Sequence, residues 1–238
     1  MIDTTTQCCD GTGWYAKSVP FGHPDFGKLF RCECGRAGDP VARQSALREQ
    51  LKAYADCTFD TWNEQRRLAA HTWGGVTYAE AQQRKALSIA TRIAKDYASN
   101  PTGGLFIFGS FGAGKTHLAA AIGNECADNN LRVQYYNIPT LFTKMRSASG
   151  SFSVDEMLAP LLTCDVLILD DIGSEDVTSF IHGRLFSIID ERLHKATVVT
   201  SNVELDKLED QIGGRIHSRL QLARQVWLPV SDYRKNRQ

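Results

Sequence analysis

The chain has no run of about 20 apolar residues, the length a helix needs to cross a bilayer, so no membrane span is expected. Its first ten residues, MIDTTTQCCD, contain neither a basic stretch nor an apolar one and do not read as a secretory leader. An excess of either charge is also missing. Lys and Arg number 27, Asp and Glu 27, and the formal net charge is +0. That balance excludes a basic coat for nucleic acid, so any DNA contact has to come from a local patch. With 238 residues, 42% of them hydrophobic, the chain has room for one large domain or a small module plus a standard one.

What is present is concentrated first in Leu105–Thr116, LFIFGSFGAGKT. An apolar run ends at Gly109, small residues follow, and Lys115-Thr116 open the helical-looking HLAAAIGNECA. This is G-x-x-x-x-G-K-[ST] in its required setting of strand, glycine loop and helix. The strand before and the helix after argue against a chance glycine turn. Glycines let backbone N–H groups curl around phosphate oxygens, and the helix N-terminus adds partial positive charge. The expected nucleotide-contacting set is Gly109, Ser110, Phe111, Gly112, Ala113, Gly114, Lys115, Thr116 and His117. Lys115 is expected on the β- and γ-phosphates of ATP, and the Thr116 hydroxyl on Mg²⁺. Phe111 stands where smaller residues or Pro are common, and nothing in the sequence explains it.

The second concentration is Cys164–Asp171, CDVLILDD, an apolar strand ending in paired acids. Ligands gather at the carboxyl ends of strands in open α/β sheets. Asp170 is therefore expected to hold Mg²⁺ through water, and Asp171 to orient the attacking water. The strand Thr197–Asn202, TVVTSN, ends in Asn202, placed as a sensor of water or the γ-phosphate, though Asn also starts turns. Arg215 and Arg219 are four apart on one helical face and can serve a neighbouring subunit's phosphate or stand solvated. Helices are expected over 41–56, 77–99, 179–195, 204–212 and 213–220, a short one broken by Pro160 over 153–163, an extended CTFDTWN, and a disordered basic tail from Tyr233.

An ATP-using protein works in the cytosol, so a cytoplasmic location is expected and clustered cysteines indicate metal more than disulfides. Cys8, Cys9, Cys32 and Cys34 flank a glycine-rich, aromatic segment and suggest tetrahedral Zn²⁺ in place of a missing core. The spacing departs from C-x-x-C, so either Cys8 or His23 completes the set, or the cysteines are reduced residues of a degenerate module. Cys57, Cys126 and Cys164 stand apart and read as small buried residues. The expected division is a zinc module over 1–40, linker helices over 41–100 and an ATPase domain over 101–238.

CTFDTWN, the block YASNPTGGLFIFGSFGAGKTHLAAAIGNE, VLILDDIGSE, LFSIIDERL, TVVTSN, GGRIHSRL and VWLPVSDYR occur in this order. The set resembles the AAA+ ATPases of the bacterial and phage helicase-loader group, DnaC/DnaI-like, and the related IstB-type ATPases. The resemblance covers nearly the whole chain. It implies an α/β P-loop fold with a parallel sheet in the order 5-1-4-3-2. It also implies nucleotide bound between subunits of an oligomer, an Arg219 finger acting in trans with Arg215 as auxiliary, and ATP hydrolysis stimulated by DNA and assembly. The implied partners are a replicative DNA helicase, met by the N-terminal module, and single-stranded DNA, gripped by the core. The alternative is an IstB-type regulator of a transposase on duplex DNA; a binding module with a dead nucleotide site is a third. Two departures are visible: Asp171 where AAA+ proteins often carry Glu, and too little chain after Val230 for a full helical lid.

Overall fold

The computed structural model describes residues 14–17, 19, 20, 23–26, 28–31, 40–147, 158–173 and 179–236. Cys8, Cys9, Cys32 and Cys34 lie outside the described residues, and with them the zinc expectation. A short antiparallel hairpin, β1 (Trp14–Ala16) and β2 (Leu29–Arg31), precedes helix α1 (Pro40–Leu51). A second hairpin, β3 (His71–Trp73) and β4 (Val76–Tyr78), leads into α2 (Glu80–Ser99). Then come β5 (Gly104–Gly109), α3 (Lys115–Asp128), β6 (Val133–Asn137), α4 (Ile138–Ser147), a helix over 158–163 (α5) and β7 (Val166–Ile172). The chain closes with α6 (Ser179–Glu191), β8 (Ala196–Ser201), α7 (Leu205–Ile212), α8 (Gly214–Leu220) and β9 (Arg224–Leu228).

Five of these strands form one parallel sheet in the order β6-β7-β8-β5-β9. Numbered within the sheet from the glycine-loop strand and read from the other edge, that order is 5-1-4-3-2. The central strands β5, β7 and β8 are buried almost throughout because both faces are covered, while the edge strands β6 and β9 carry polar or exposed positions. Leu105, Ile107, Val166, Ile168, Val198 and Val226 point into a core shared with α1, α2 and α3. Their neighbours Phe106, Leu167, Leu169 and Val199 point the other way, into a core with α4 to α8. Period-two side-chain alternation thus makes a three-layer sandwich out of continuous hydrophobic runs. All five strands run the same way, so the loops after β5, β7 and β8 open at one rim.

Several expected boundaries move. Helix α1 stops at Leu51 rather than Asp56, because Lys52 adopts a left-handed φ of 52° and a 3₁₀ turn follows. Tyr54, expected on its buried face, is 41% exposed and faces the cleft described below. CTFDTWN is not extended: Thr58 and Thr61 bond to each other's backbone and fold it into a turn. Helix α2 begins at Glu80, since Val76–Tyr78 pair with His71–Trp73 around Gly74-Gly75, with φ of 58° and 79°. A Gly-Gly pair between two β-favouring triplets is a hairpin signal that the helical period of the following residues masked. Pro160 sits within α5 rather than breaking it. The tail is ordered as a 3₁₀ turn over Tyr233–Asn236.

A candidate nucleotide site at the sheet rim

Glycine is required in the loop after β5 for two separate reasons. Gly114 has φ +98°, and a Cβ there would lie 2.6 Å from the Trp62 ring; Gly112 has φ +68°, and a Cβ there would overlap the Asp232 carboxylate. Only a bare backbone can pass between the linker on one side and the C-terminal turn on the other. The loop delivers Lys115 to the start of α3, where its ammonium donates to the carbonyls of Gly109 (2.9 Å) and Ser110 (2.7 Å). Burial pushes this amine down to about 8, against the opposing pull of Asp171 and then Asp170. A buried ammonium bonded only to neutral carbonyls is completed by an anion.

The two acids differ in surroundings. Asp170 is buried, accepting from the Tyr135 hydroxyl (2.9 Å) and the Thr200 hydroxyl (2.7 Å). Burial first and Asp170 second push the Tyr135 phenol far above its ordinary range, so it stays a donor. Between Leu169 and Ile172 the pairing with β8 shifts register, and Asp171 takes a left-handed φ of 66°. Its N–H donates to Thr200 Oγ1 (2.9 Å), and its Oδ1 accepts from Asn202 Nδ2. The bulge re-aims one residue without ending the strand. Asn202, expected to meet water or phosphate directly, here spends its amide on Asp171.

One cleft of about 620 Å³ is lined by Phe111, Gly112, Gly114, Lys115, Thr116, His117, Asp170, Asp171, Thr200 and Asn202. Asn137, Tyr54, Asp56, Cys57, Thr61, Trp62, Asn63, Arg66, Tyr233 and Arg234 complete the wall. Six of the nine expected loop residues and both acids therefore converge, whereas Gly109, Ser110 and Ala113 do not line the cleft, Ser110 and Ala113 being buried. His117 turns toward the linker, its Nε2 3.1 Å from the Thr58 carbonyl oxygen and its ring 5.3 Å from Trp62, and burial lowers its pKa. Phe111 stands 68% exposed at the mouth of the cleft. Trp62 packs on the main domain: its indole donates to Thr91 of α2 (2.7 Å), and its ring edge borders Gly114.

Arg66 and His71 were not legible as site residues. The Arg66 guanidinium, 5% exposed, donates to the Ala113 carbonyl (2.7 Å) and lies 5.0 Å from the Trp62 ring. Burial brings it down to about 10. His71 Nε2 lies 2.7 Å from Ser110 Oγ, linking the β3–β4 hairpin to the glycine loop. Neither residue carries a local sequence signal, since both act on the loop from about 40 residues away.

Arg219 lies elsewhere. It borders a small cavity with Gly104 and Thr197, at the opposite ends of β5 and β8 from the glycine loop. Its Nε bonds Asp190 (2.9 Å), and its guanidinium and that of Arg215 each lie 5.5 Å from the Phe186 ring. Gly104, beside it, is five residue steps along β5 from Gly109, about 17 Å at 3.3 Å per residue. That is too far to reach the chain's own cleft.

Residues 41–224 match the family described as IstB-like ATP binding protein. The chain belongs to that family. The replicative helicase loader DnaI of Bacillus subtilis is similar to this IstB-like protein, at 25% identity over 201 residues, 83% of this chain and 61% of the loader. The replicative helicase loader DnaC of Buchnera aphidicola subsp. Acyrthosiphon pisum is 26% identical over 194 residues, 79% of this chain and 71% of the loader. The chain thus spans less than two thirds of the length of DnaI. Among solved structures, a replication initiator DnaA bound to AMPPCP and single-stranded DNA superposes with a TM-score of 0.54 at 27% identity, covering 59% of this chain and 45% of that one. Thr116, Asp170 and Asp171 offer hard oxygen donors in one cleft, the donor chemistry Mg²⁺ takes. Among the described residues, no helix is long and apolar enough to cross a membrane.

Proposed function

We propose that the chain is an ATP-hydrolysing loader that delivers a replicative ring helicase to single-stranded DNA. One observation carries the ATPase reading: Lys115, Thr116, Asp170, Asp171 and Asn202 face one cleft, whereas Arg219 sits at the far end of the sheet. A site complete except for an outlying cation is finished by a second copy. Lys115 and the loop N–H groups would bind the β- and γ-phosphates, and Thr116 and Asp170 would hold Mg²⁺, which would supply neutralising charge to the transferring phosphoryl group. Asp171, oriented by Asn202, positions the attacking water. Arg219 enters a neighbour's cleft in trans, so turnover reports assembly.

The helicase and the DNA come from likeness to the DnaI and DnaC loaders and to the DNA-bound initiator. Affinity capture of a replicative helicase by the full chain, together with ATP turnover raised by single-stranded DNA, is the expected result. No capture of helicase, with ATP-dependent assembly on duplex DNA, favours instead the transposase-regulator reading, which the family description supports. The N-terminal module is proposed to hold zinc through Cys8, Cys9, Cys32 and Cys34. Trp14 pairs with Arg31, so the chain enters and leaves the β1–β2 hairpin at one end. Elemental analysis is expected to give about one zinc per chain; a value near zero removes the metal.

A further inference from the structure

The segment from Trp62 to the end of the β3–β4 hairpin is fastened to α2 by three side chains of that helix. Thr91 takes the Trp62 indole, and Arg84 donates to the carbonyls of Glu64 (2.9 Å) and Arg66 (3.4 Å). Gln83, fully buried, donates to the carbonyls of Ala69 (2.7 Å) and Tyr78 (2.9 Å). A helix outside the site therefore fixes where the segment meets the glycine loop.

It meets the loop at both ends. At the start, His71 Nε2 lies 2.7 Å from the Oγ of Ser110, which is buried. The Ser110 N–H donates to the Leu228 carbonyl (3.1 Å), and its own carbonyl accepts from the Ala113 N–H (3.2 Å) and the Lys115 ammonium (2.7 Å). At the end, Arg66 Nη2 donates to the Ala113 carbonyl (2.7 Å), and Nη1 lies 3.3 Å from where a Gly114 Cβ would sit. A trans peptide carries its C=O and its N–H on opposite sides. With the Ala113 carbonyl turned to Arg66, the Gly114 N–H is turned away from it, and among the described residues that N–H has no backbone acceptor. Arg66 is itself buried; among the described residues no carboxylate bonds it and its Nε has no partner. Burying such a cation is costly unless an anion comes near. It lines the same cleft as Lys115.

We propose that Arg66 and His71 are positioning residues that hold the glycine loop in its phosphate-binding shape before nucleotide arrives. Arg66 turns the Gly114 N–H toward the phosphates, and His71 fixes Ser110 and, through its carbonyl, Lys115. The glycines permit the loop conformation and the linker segment selects it. This inference rests on the nucleotide reading given above and adds to it the element that sets phosphate affinity.

ATP turnover and equilibrium binding of ATP and of ADP, each with Mg²⁺, by the full-length protein test it. A preformed loop serves substrate and transition state alike, so its loss falls on KM rather than on kcat. Arg66→Met is expected to weaken ATP and ADP by the same factor, about tenfold, the range of one charge-assisted hydrogen bond, and His71→Phe by about fivefold, that of a neutral one. Arg66→Lys and His71→Gln, which put back a polar partner, are expected to regain most of the affinity. Melting of nucleotide-free Arg66→Met is expected to stay near the wild type, because losing a buried charge offsets leaving the Ala113 carbonyl unpaired. Wild-type affinity in either Arg66→Met or His71→Phe, where Lys115→Ala abolishes binding, overturns the inference and leaves the site reading standing. A fall in kcat at unchanged KM, or lower melting with no regain in the conservative variants, also overturns it, since both mark residues that only hold the fold. Failure of the wild type to bind either nucleotide overturns both readings.

Discussion

Lys115 carries its charge at a cost. Burial lowers its pKa to about 8 from 10.5. The empty protein therefore gains stability as pH rises from about 8 toward 10.5, where only the unfolded chain still binds this proton. Bound phosphates restore the higher pKa. ATP affinity is thus expected to be flat below pH 8 and to fall as pH rises above it. Calorimetry at pH 8.5 in buffers of different ionisation enthalpy is expected to register proton uptake; none would mean that Lys115 stays charged in the empty cleft. Asn202 supports a second residue-scale expectation. Its amide bonds Asp171, so Asn202→Ala is expected to lower kcat by about tenfold to a hundredfold, within what an oriented base contributes, while ATP affinity holds. A loss confined to affinity would place Asn202 on the phosphate instead.

Strands β7 and β8 hold the acids through a bulge rather than by composition. Thr200 donates to Asp170 and accepts from the Asp171 N–H, fixing both acids from the neighbouring strand. Thr200→Val keeps the shape and removes both bonds. Turnover is expected to drop while the fold persists; wild-type turnover would show that the bulge holds itself. The other end of β8 depends on Arg192, 1% exposed, which donates to the carbonyls of Leu161, Cys164 and Ala196 and to Thr197 Oγ1. It ties α5, α6, β7 and β8 together. Arg192→Met leaves those acceptors unpaired and is expected to cost about 3 kcal/mol or more, at roughly 1 kcal/mol or more per buried group. A shift in the urea midpoint at constant m measures it; a change below about 1 kcal/mol would mean that water replaces the guanidinium.

For the molecule as a whole, the separation of Arg219 from the cleft decides what kind of machine this can be. The proposed Arg219 finger, a strand's length from the glycine loop of its own chain, calls for an assembly. Arg219→Ala is expected to bind ATP and not hydrolyse it, and Lys115→Ala to do neither. Mixing the two variants is expected to recover part of the turnover, because an intact finger then faces an intact loop. If no mixture turns over ATP while both variants still assemble, the trans arrangement is wrong. In the isolated chain Arg219 rests on Asp190 and Phe186, so assembly has to offer a better acceptor than one exposed carboxylate.

The sequence by itself determined the apolar strands and the positions of the glycine loop and the paired acids; the sheet order came from the resemblance of the whole set of motifs. Apolar runs of strand length, one glycine pattern and a pair of acids are local signals, read over ten residues or fewer. The N-terminal cysteines belong to the same kind of signal, but they lie outside the described residues. Tertiary structure alone decided which of these groups work on one another. Asp171 and Asn202 are 31 residues apart, Tyr135 and Asp170 35, Arg66 and Ala113 47. The hairpin at Gly74-Gly75 differs from expectation because the helical period of the next residues masks its local signal, and the turn at Tyr233 because bonds to distant residues order it. Arg234 read as solvated tail for the same reason: its place in the cleft wall follows from the bonds of the Ser231 N–H to Gln83 and of the Tyr233 N–H to Gly112, and those exist only once the sheet has brought β9 beside β5.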